Sequence, residues 1–417
     1  MQQTNKLNGQ LNNYLGEYTD NHSLPSPFYT NPDVFSMEMA TVFQQRWFYA
    51  ACVADIPEAG SYYSFNLYNN SVFIIKDDDG KIRAFHNTCC HRGSKLCDEG
   101  TGDLAKIVCP YHQWTYELDG RLLYAPKMGA DFDPSKYRLT EIALENVGGL
   151  IFICFSDNPP DSIQEVKKII SPYLDVYKIE NTKVAAQSDL VEHTNWKLVM
   201  ENNRECDHCN SNHPELMVPL YDAGFGAGLD DVNSNVCDSN DEFVQLYQTK
   251  RKEWEELNLK YEPIDFPNDL WLRVARLPLA HNAVSHTTDG KLGCQKLLAP
   301  FKKPETSSLS LWTHPNSWHH FMCDHIVTFK VMPLANNQTL VRTKWLVDKD
   351  AEEGKDYDLK HLMNCWIQTN DQDRRLVERN YQGICSNAYK PGPYSPGEMF
   401  VDNFVSWYVR QIKDLNT

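Results

Sequence analysis

Two short segments of the sequence each pair a thiol with an imidazole. Cys89 and His91 form the first pair, and Cys109 and His112 form the second, with 17 residues between the two pairs. Each pair lies in a predicted turn beside a strand-like run, so two neighbouring loops can present both pairs to one site. Thiolates are preferred ligands of iron–sulfur clusters. Two cysteines on one iron and two histidines on the other predict a [2Fe–2S] cluster whose potential exceeds that of an all-cysteine cluster.

A zinc site is the alternative for these four residues. Zinc fingers pair like with like, two cysteines followed by two histidines. Here each half of the motif is mixed, and the second half runs directly into a predicted hairpin, which favours the iron–sulfur cluster. Cys90 lies between two predicted ligands, and we expect its side chain to point away from the cluster.

Glu205, His208 and His213 form a second set of candidate metal residues. Glu205 and His208 lie one helical turn apart and can face the same way. His213 is five residues beyond His208, so a kink or bulge is needed to bring both imidazoles to one ion. Two histidines and one carboxylate bind iron(II) and leave positions open for O2 and substrate. Cys206 and Cys209 interleave with these residues, and we interpret them as packing residues.

The carboxylate of this second site must come from another part of the chain. Asp373 and Asp371 lie in a charged segment that would ordinarily be a solvated helix face. Asp324 lies beside a histidine in a strand-like segment. The residues by themselves leave these three candidates open.

Short strands surround the first set of ligands. Ser71–Ile75 and Lys81–Phe85 flank an Asp-Asp-Asp-Gly turn, and Tyr116–Leu118 and Arg121–Tyr124 flank an Asp-Gly turn. Both arrangements are typical of β-hairpins. They predict a small all-β domain over residues 46–157.

The remainder of the chain follows an α+β pattern. A polar arm and an amphipathic helix occupy residues 1–45, and helices alternate with strands over residues 158–417, which predicts a sheet wrapped around a long helix. The Gly-, Asp- and Asn-rich segment Gly224–Asn240 predicts a loop or lid. The predicted helices are Asn31–Gln45, Ile163–Tyr177, Asn195–Cys209, Asp358–Asn380 and Phe400–Leu415, and the predicted strands include Leu309–Thr313, His325–Pro333 and Leu340–Val347.

Composition excludes several classes of partner. The chain has 417 residues and a formal net charge of −16, and an acidic surface repels nucleic acid. No apolar run reaches the ~18–20 residues that a membrane helix needs. The polar N-terminus lacks a signal-peptide core, so we expect a cytoplasmic protein with no membrane partner. The odd count of 13 cysteines predicts free thiols and metal ligands instead of a disulfide framework.

The motifs together resemble those of Rieske non-haem iron oxygenases, and the resemblance extends over nearly the whole chain. It implies an all-β Rieske domain followed by a helix-grip (START-like, Bet v1-like) catalytic domain. It also implies that Cys89, His91, Cys109 and His112 hold the cluster and that His208, His213 and Asp373 hold a mononuclear iron(II). Asp371, on another helix face, is then the second choice, and Asp324 is the third. The matching segments are Phe85–Gly93, Val108–Gly120, Glu201–Cys206, Lys344–Val347 and Thr369–Arg375.

The family resemblance also implies a route for electrons. NAD(P)H electrons would enter through a separate flavin and iron–sulfur reductase. In a head-to-tail homotrimer, Glu205 would bridge His208 and the cluster ligand His112 of a neighbouring subunit. Ring hydroxylases usually carry Asp at the bridge, and the longer Glu is similar to that of the quaternary-ammonium N-demethylating branch. The chain departs from the usual pattern at Asp207, often Tyr, and at Cys90, often Arg.

This branch implies O2-dependent oxidative N-demethylation, with glycine betaine converted to dimethylglycine and formaldehyde as the expected reaction. Stachydrine, carnitine or an aromatic ring are alternative substrates. A Rieske ferredoxin that only carries electrons is disfavoured by the ~260 residues beyond the predicted all-β domain. Aromatic faces bind quaternary ammonium groups, and 12% of the residues are aromatic, but the sequence does not single out the residues of such a cage.

Overall fold

The computed structural model describes residues 2–221, 241–267 and 270–413. The loop predicted at Gly224–Asn240 lies outside these residues. Two seven-stranded sheets and one three-stranded sheet form the core of the described chain, with helices beside them, and the predicted mixture of an all-β part and an α+β part is confirmed. Within the described ranges, no helix combines the length and hydropathy needed to cross a membrane.

Three helices precede the first sheet: α1 (Gln2–Glu17), α2 (Pro27–Thr30) and α3 (Pro32–Gln45). Helix α3 begins where the Asn31 side chain accepts a hydrogen bond from the Asp33 backbone N–H at 2.8 Å, as expected of an N-cap. The prediction of a polar arm is wrong for α1, which is helical. Leu11 on α1 is buried, and Tyr14 and Leu15 pack against the same core. These three residues recur at helical spacing, a signal that the prediction overlooked.

The next ten strands build the all-β part. One antiparallel sheet contains seven of these strands, in the order β1-β10-β9-β4-β3-β2-β5. A separate small sheet contains β6, β7 and β8. Their bounds are β1 (Phe48–Cys52), β2 (Ser61–Leu67), β3 (Asn70–Lys76), β4 (Ile82–His86), β5 (Gly100–Asp103), β6 (Ile107–Val108), β7 (Thr115–Tyr116), β8 (Leu122–Tyr124), β9 (Glu141–Val147) and β10 (Leu150–Cys154).

Both predicted hairpins are confirmed. In the β3–β4 turn, Asp77 accepts hydrogen bonds from the backbone N–H groups of Asp79 and Lys81 at 3.1 and 2.8 Å. In the β7–β8 turn, Gly120 has a φ of +85°, and a Cβ there would lie 2.6 Å from the Phe85 ring. The second turn therefore requires glycine both for its backbone conformation and for its contact with β4.

The second large sheet has the order β11-β17-β16-β15-β14-β13-β12. The long helix α8 packs against its edge strand β11 and against α5. The elements are α4 (Ser162–Leu174), β11 (Thr182–Glu192), α5 (Trp196–Asn202), α6 (Cys209–Asn212), α7 (Asp241–Glu256), β12 (Ile264–Asp265), β13 (Leu272–Pro278), β14 (Ser307–Thr313), β15 (Ser317–Phe321), β16 (Ile326–Ala335), β17 (Gln338–Asp348), α8 (Leu359–Ile384) and α9 (Met399–Lys413).

The structure corrects one predicted helix. Asn195–Cys209 is not continuous, because α5 ends at Asn202 and the chain turns before α6 begins at Cys209. Buried Arg204 lies in this turn and donates to the carbonyls of Thr313 and Ser317 at 3.4 and 3.3 Å. A guanidinium that satisfies strand carbonyls holds the turn against the second sheet.

Charged residues join the two large sheets. Lys330 on β16 donates to the Ala50 carbonyl at 2.7 Å and to the Tyr63 hydroxyl at 3.1 Å. Lys344 on β17 is hydrogen-bonded to buried Asp55. Buried ion pairs of this kind specify one arrangement because breaking one partner leaves an unpaired charge.

Candidate metal centres

Two loops present the predicted cluster ligands. The first loop follows β4, and the Gly93 N–H donates to the Cys89 carbonyl at 2.9 Å. The second joins β6 to β7, and the Gln113 N–H donates to the Cys109 carbonyl at 3.0 Å. Gly93 and Gln113 have φ angles of +79° and +60°, so each loop closes tightly around its cysteine.

The structure brings the four predicted residues together. Cys89 and Cys109 are buried, and the rings of His91 and His112 lie 4.7 Å apart between centroids. The His91 ring stacks on Trp114 at 4.6 Å with an interplanar angle of 4°. This stacking fixes the direction of the imidazole.

Tyr116 contacts two sulfur atoms at this site. Its hydroxyl lies 3.0 Å from Sγ of Cys89 and 3.2 Å from Sγ of Cys90. Cys90 therefore lies beside the site and shares a hydroxyl with a predicted ligand, although its sequence position suggested a side chain that points away. Tyr116 was not singled out from the sequence, because nothing in the motif distinguishes it from a core tyrosine.

The donor atoms suit a mixed-ligand [2Fe–2S] cluster. Nδ1 of His91 and Nδ1 of His112 are buried and have no hydrogen-bond partner among the described residues. Burial raises the pKa of the Cys109 thiol, but the N–H groups of Tyr111 and His112 stabilise the thiolate and the net pKa is lowered. Loss of solvent and the neighbouring His91 and Arg92 lower the pKa of His112. Thiolate and neutral imidazole are the forms that bind metal.

The second predicted site is built on the short helix α6. His208 precedes α6 and His213 follows it, and their rings lie 5.0 Å apart. The kink predicted before His213 is thus the point where the single-turn helix α6 ends. His213 is buried.

Helix α8 contributes Asp373 to the same point. Its Oδ1 lies 3.3 Å from Nε2 of His208 and 3.0 Å from Nε2 of His213. This oxygen is buried and has no partner with hydrogen-bond geometry among the described residues. Three potential ligand atoms therefore converge, the two Nε2 atoms lying 3.0–3.3 Å from Oδ1 of Asp373 without ideal hydrogen-bond geometry, an arrangement that suits a divalent metal ion.

The other two carboxylate candidates lie elsewhere. Asp371 points outward and pairs with Arg374 at 2.6 Å and with Arg375. Asp324 is buried and accepts hydrogen bonds from Ser285 and from the N–H of Gly293 at 2.7 Å. Both carboxylates are satisfied by their own neighbours.

Outer residues orient the two imidazoles. Nδ1 of His208 lies 2.5 Å from Oε1 of Glu205, and Nδ1 of His213 lies 2.8 Å from Oε1 of Gln372. Gln372 in turn donates to Glu215 at 3.0 Å. Hydrogen bonds at Nδ1 leave each Nε2 to the metal. Gln372 and Glu215 were missed in the sequence, although Gln372 directly precedes a predicted ligand.

Carboxylates set the charge preference of this site. Burial by itself would lower the pKa of His208, but Asp373 and Glu205 raise it to about 10. The pKa of His213 is also raised, against the effect of burial, mainly by Asp373. In both cases the carboxylates favour a cation at the imidazoles, and a bound metal ion supplies that charge.

One disulfide lies within this segment. Cys206 and Cys209 are joined by a disulfide bond, so the interpretation of these two residues as free packing thiols is wrong. The pair spans the turn between Glu205 and the start of α6. Its Cys-x-x-Cys spacing was the available signal in the sequence.

A cavity of about 410 Å³ opens beside Glu205 and His208. Its wall includes Tyr29, Glu201 and Tyr394. Tyr29 donates to both carboxylate oxygens of Glu201 at 2.9 and 3.1 Å. A group that enters this cavity can thus contact Glu205.

Comparison with known families follows the same division of the chain. Residues 46–143 match the family model described as Rieske [2Fe-2S] domain, and residues 179–414 match the ring hydroxylating alpha subunit (catalytic domain). The chain belongs to the Rieske ring-hydroxylating oxygenase family. As an oxygenase subunit of this family it is an oxidoreductase with a [2Fe–2S] cluster and a mononuclear iron, and it acts on a small substrate with electrons from a reductase.

Two curated relatives of this Rieske oxygenase align over most of both chains. The glycine betaine monooxygenase oxygenase subunit of Chromohalobacter salexigens is 44% identical over 396 residues, which cover 94% of this chain and 86% of the relative. The subunit of the same name from Pseudomonas aeruginosa PAO1 is 45% identical over 388 residues, 93% and 88% of the two chains. The carnitine monooxygenase oxygenase subunit of Escherichia coli K12 is 30% identical over 206 residues, 48% of this chain and 55% of the relative.

Solved structures share the fold of this Rieske oxygenase. A quaternary ammonium Rieske monooxygenase superposes with a TM-score of 0.69 at 21% identity, covering 96% of this chain and 98% of the other. Naphthalene 1,2-dioxygenase from Rhodococcus superposes with a TM-score of 0.67 at 18% identity, covering 98% of both chains. The predicted family and fold class are confirmed.

Proposed function

We propose that this Rieske oxygenase catalyses oxidative N-demethylation of glycine betaine to dimethylglycine. The observation that carries the proposal is the 44–45% identity, over most of both chains, to oxygenase subunits named for glycine betaine. The glutamate at position 205, instead of the aspartate usual in ring hydroxylases, supports the same branch. Carnitine is the second candidate, since a carnitine oxygenase subunit aligns with about half of the chain.

The proposal assigns two ligand sets. Cys89, His91, Cys109 and His112 hold the [2Fe–2S] cluster, and the iron(II) is held by a second set, namely His208, His213 and Asp373. When bound, the cluster would supply single electrons and the iron would supply the site of O2 activation. The support is the convergence of ligand atoms on each site and the unpartnered Nδ1 and Oδ1 atoms found there.

The protein residues around the iron orient the ligands and hold protons. Glu205 and Gln372 fix the Nδ1 sides of the two ligand histidines. The second carboxylate oxygen of Glu205 accepts the backbone N–H of Asp207 at 2.5 Å. This bond locks the Glu205 carboxylate in the orientation that contacts His208.

Electron transfer is proposed to cross between subunits of a head-to-tail homotrimer. The hydrogen bonds of Glu205 within the described chain go to Asp207 and His208, and none goes to a cluster histidine. Around the cluster, Val108 and Tyr111 are 41% and 57% exposed, and nearby Leu123 and Tyr124 are 51% and 59% exposed. Large apolar side chains exposed together are typical of an interface. This surface is proposed to cover the Glu205 cavity of a neighbouring subunit, with His112 reaching Glu205.

The overall reaction balances with one O2 and two electrons from NAD(P)H through a flavin and iron–sulfur reductase. One oxygen atom enters an N-methyl C–H bond, and the other leaves as water after taking up two protons. The resulting N-hydroxymethyl group breaks at its C–N bond, the nitrogen keeps the electron pair, and formaldehyde and a proton are released.

The test is product analysis with the purified, metal-loaded protein, a reductase, NADH and O2. We expect one formaldehyde and one dimethylglycine per O2 consumed with glycine betaine, and lower rates with carnitine and stachydrine. The Asp373→Ala variant is the control for O2 consumption that is not coupled to formation of the products. Absence of formaldehyde with every trimethylammonium compound would refute the proposed function.

A further inference from the structure

Buried imidazoles gather beside the second sheet, apart from the proposed metal ligands. His286 is fully buried, and neither of its ring nitrogens has a hydrogen-bond partner among the described residues. Its ring lies 5.0 Å from that of His320 on β15 and 5.7 Å from that of Trp366 on α8. Nε1 of Trp366 is also buried without a partner in the described chain. The rings of His286 and Trp366 thus meet here without an acceptor for their N–H groups among the described residues.

Behind these rings, both oxygens of the Asp324 carboxylate accept hydrogen bonds. Asp324 accepts from Ser285 at 2.8 Å and from the N–H of Cys294 at 3.1 Å, and it lies 3.1 Å from Nδ1 of His325. Nε2 of His325 is buried and has no partner among the described residues. The carboxylate of Asp324 is therefore occupied and cannot serve as the acceptor that the His286 cluster lacks.

His286, His320 and Trp366 form one cluster. Its member Trp366 lies on the same face of α8 as Asp373 of the proposed iron site. Trp366 lies seven residues before Asp373 on this helix, which is two turns and about 10 Å along the axis. The Trp366 ring stacks on His320 at 4.8 Å and meets Phe329 edge to face at 4.9 Å. Trp366 therefore lies on the same side of α8 as Asp373, at a separation comparable to the length of a small zwitterion plus its contacts.

An acceptor at this position would stabilise the buried N–H groups. A buried N–H without a partner costs roughly 1–3 kcal/mol, and native proteins leave few such groups. A carboxylate accepts several N–H bonds at once, and charge makes each bond stronger. Burial and the neighbouring His320 and His325 lower the pKa of His286 well below its usual range, so the ring is neutral near pH 7 and carries one N–H.

We propose that His286 and Trp366 form the subsite for the substrate carboxylate, with the trimethylammonium end directed to the iron. This inference rests on the proposed function and adds the residues that select a carboxylated substrate.

Binding measurements on the resting, metal-loaded protein test this subsite without turnover. Calorimetry would compare glycine betaine with its methyl ester, which keeps the cation and removes the anionic charge. We expect the parent to prefer glycine betaine, and His286→Phe and Trp366→Phe each to weaken glycine betaine binding by about 10-fold or more while ester binding changes less than about 3-fold. His286→Gln, which retains an N–H donor, should keep most of the affinity.

His314→Phe is the matched control. His314 is also a buried imidazole, but it packs against Phe404 and Trp407 of α9, and this change should leave both ligands unaffected. The subsite would be overturned if His286→Phe and Trp366→Phe weakened the binding of both ligands equally. It would also be overturned if neither ligand bound more weakly, and water would then be the acceptor at the cluster. A parent that binds both ligands equally would overturn the subsite while the proposed function stands. A parent that binds neither would refute both.

Discussion

Glu205 combines two hydrogen-bonding tasks in one side chain. One oxygen meets Nδ1 of His208, and the other is held by a backbone N–H of its own loop. A carboxylate in this position couples the charge of His208 to any donor that approaches from the adjoining cavity. Its chemistry can be tested by a change that keeps the shape and removes the charge.

Glu205→Gln should retain both metal centres and slow electron delivery to the iron by about 100-fold or more, since a positioned acid or base contributes at least that factor. Stopped-flow absorbance of the reduced cluster would follow its oxidation in the presence of substrate and O2. Glu201→Gln, a carboxylate change in the same cavity, is the control. Unchanged cluster oxidation in the Glu205 variant would contradict the bridge.

Glu201 predicts a separate effect on stability. Burial raises its pKa to about 8, although Tyr29 hydrogen bonds and Lys197 oppose the shift. An unfolded glutamate titrates near about 4.3, so the folded state binds more protons between these values and stability falls as pH rises through this window. Between about pH 6 and 8, the free energy of unfolding should fall by on the order of 2 kcal/mol less in Glu201→Gln than in the parent protein. Urea unfolding at several pH values would measure it, and parallel curves for parent and variant would exclude the effect.

At the scale of elements, α8 separates two aspartates that are two residues apart. Asp373 faces His208 and His213, whereas Asp371 faces outward toward arginines. Successive residues on a helix differ by about 100°, so a two-residue step moves the side chain to nearly the opposite face.

Asp373→Ala should therefore lose the mononuclear iron and all product formation while keeping the visible absorption of the cluster. Asp371→Ala is matched to it on the same helix and should keep both irons, with a stability change of about 0.5 kcal/mol or less, because exposed ion pairs contribute little. Metal analysis and formaldehyde assays would distinguish them. Loss of iron from the Asp371 variant alone would reverse the assignment.

Local patterns allowed much of this architecture to be predicted. The two Asp/Gly turns carry their own hydrogen-bonding and backbone signals, so both hairpins were predicted correctly. The predicted cluster ligands lie in two compact motifs, and the structure brings those motifs together. α8 and α9 were predicted close to their observed bounds because both have a clear apolar face.

Features made by tertiary contacts were missed. The helix predicted over Asn195–Cys209 has suitable residues, but the buried contacts of Arg204 with strand carbonyls favour a turn there. Strand β15 (Ser317–Phe321) contains two buried histidines and lacks the apolar alternation of a strand. His286 is distant in sequence from Trp366, so no local motif could indicate that their rings meet.

At the scale of the whole molecule, the junction between the sheets is rigid. Tyr63 lies among the cations Lys330, Arg342 and Lys344, which lower the pKa of its hydroxyl against the effect of burial. Together with the Asp55–Lys344 pair, these contacts fix the all-β domain on the catalytic sheet. A domain held in this way does not swing its cluster toward its own Glu205, so the proposed electron path depends on a neighbour.

Mixing two inactive variants tests this dependence. Cys89→Ser should lack the cluster and keep the iron, whereas Asp373→Ala should lack the iron and keep the cluster. If electrons cross between subunits of a ring, trimers unfolded and reassembled from an equal mixture should regain roughly one quarter of parent activity, because a quarter of donor–acceptor neighbours are intact when variants mix at random. Each variant reassembled by itself should stay inactive, and parent protein treated in the same way sets the full scale. Because a single chain that carries its own electrons gains nothing from such a neighbour, an inactive mixture of proven mixed trimers would place the electron path within one subunit.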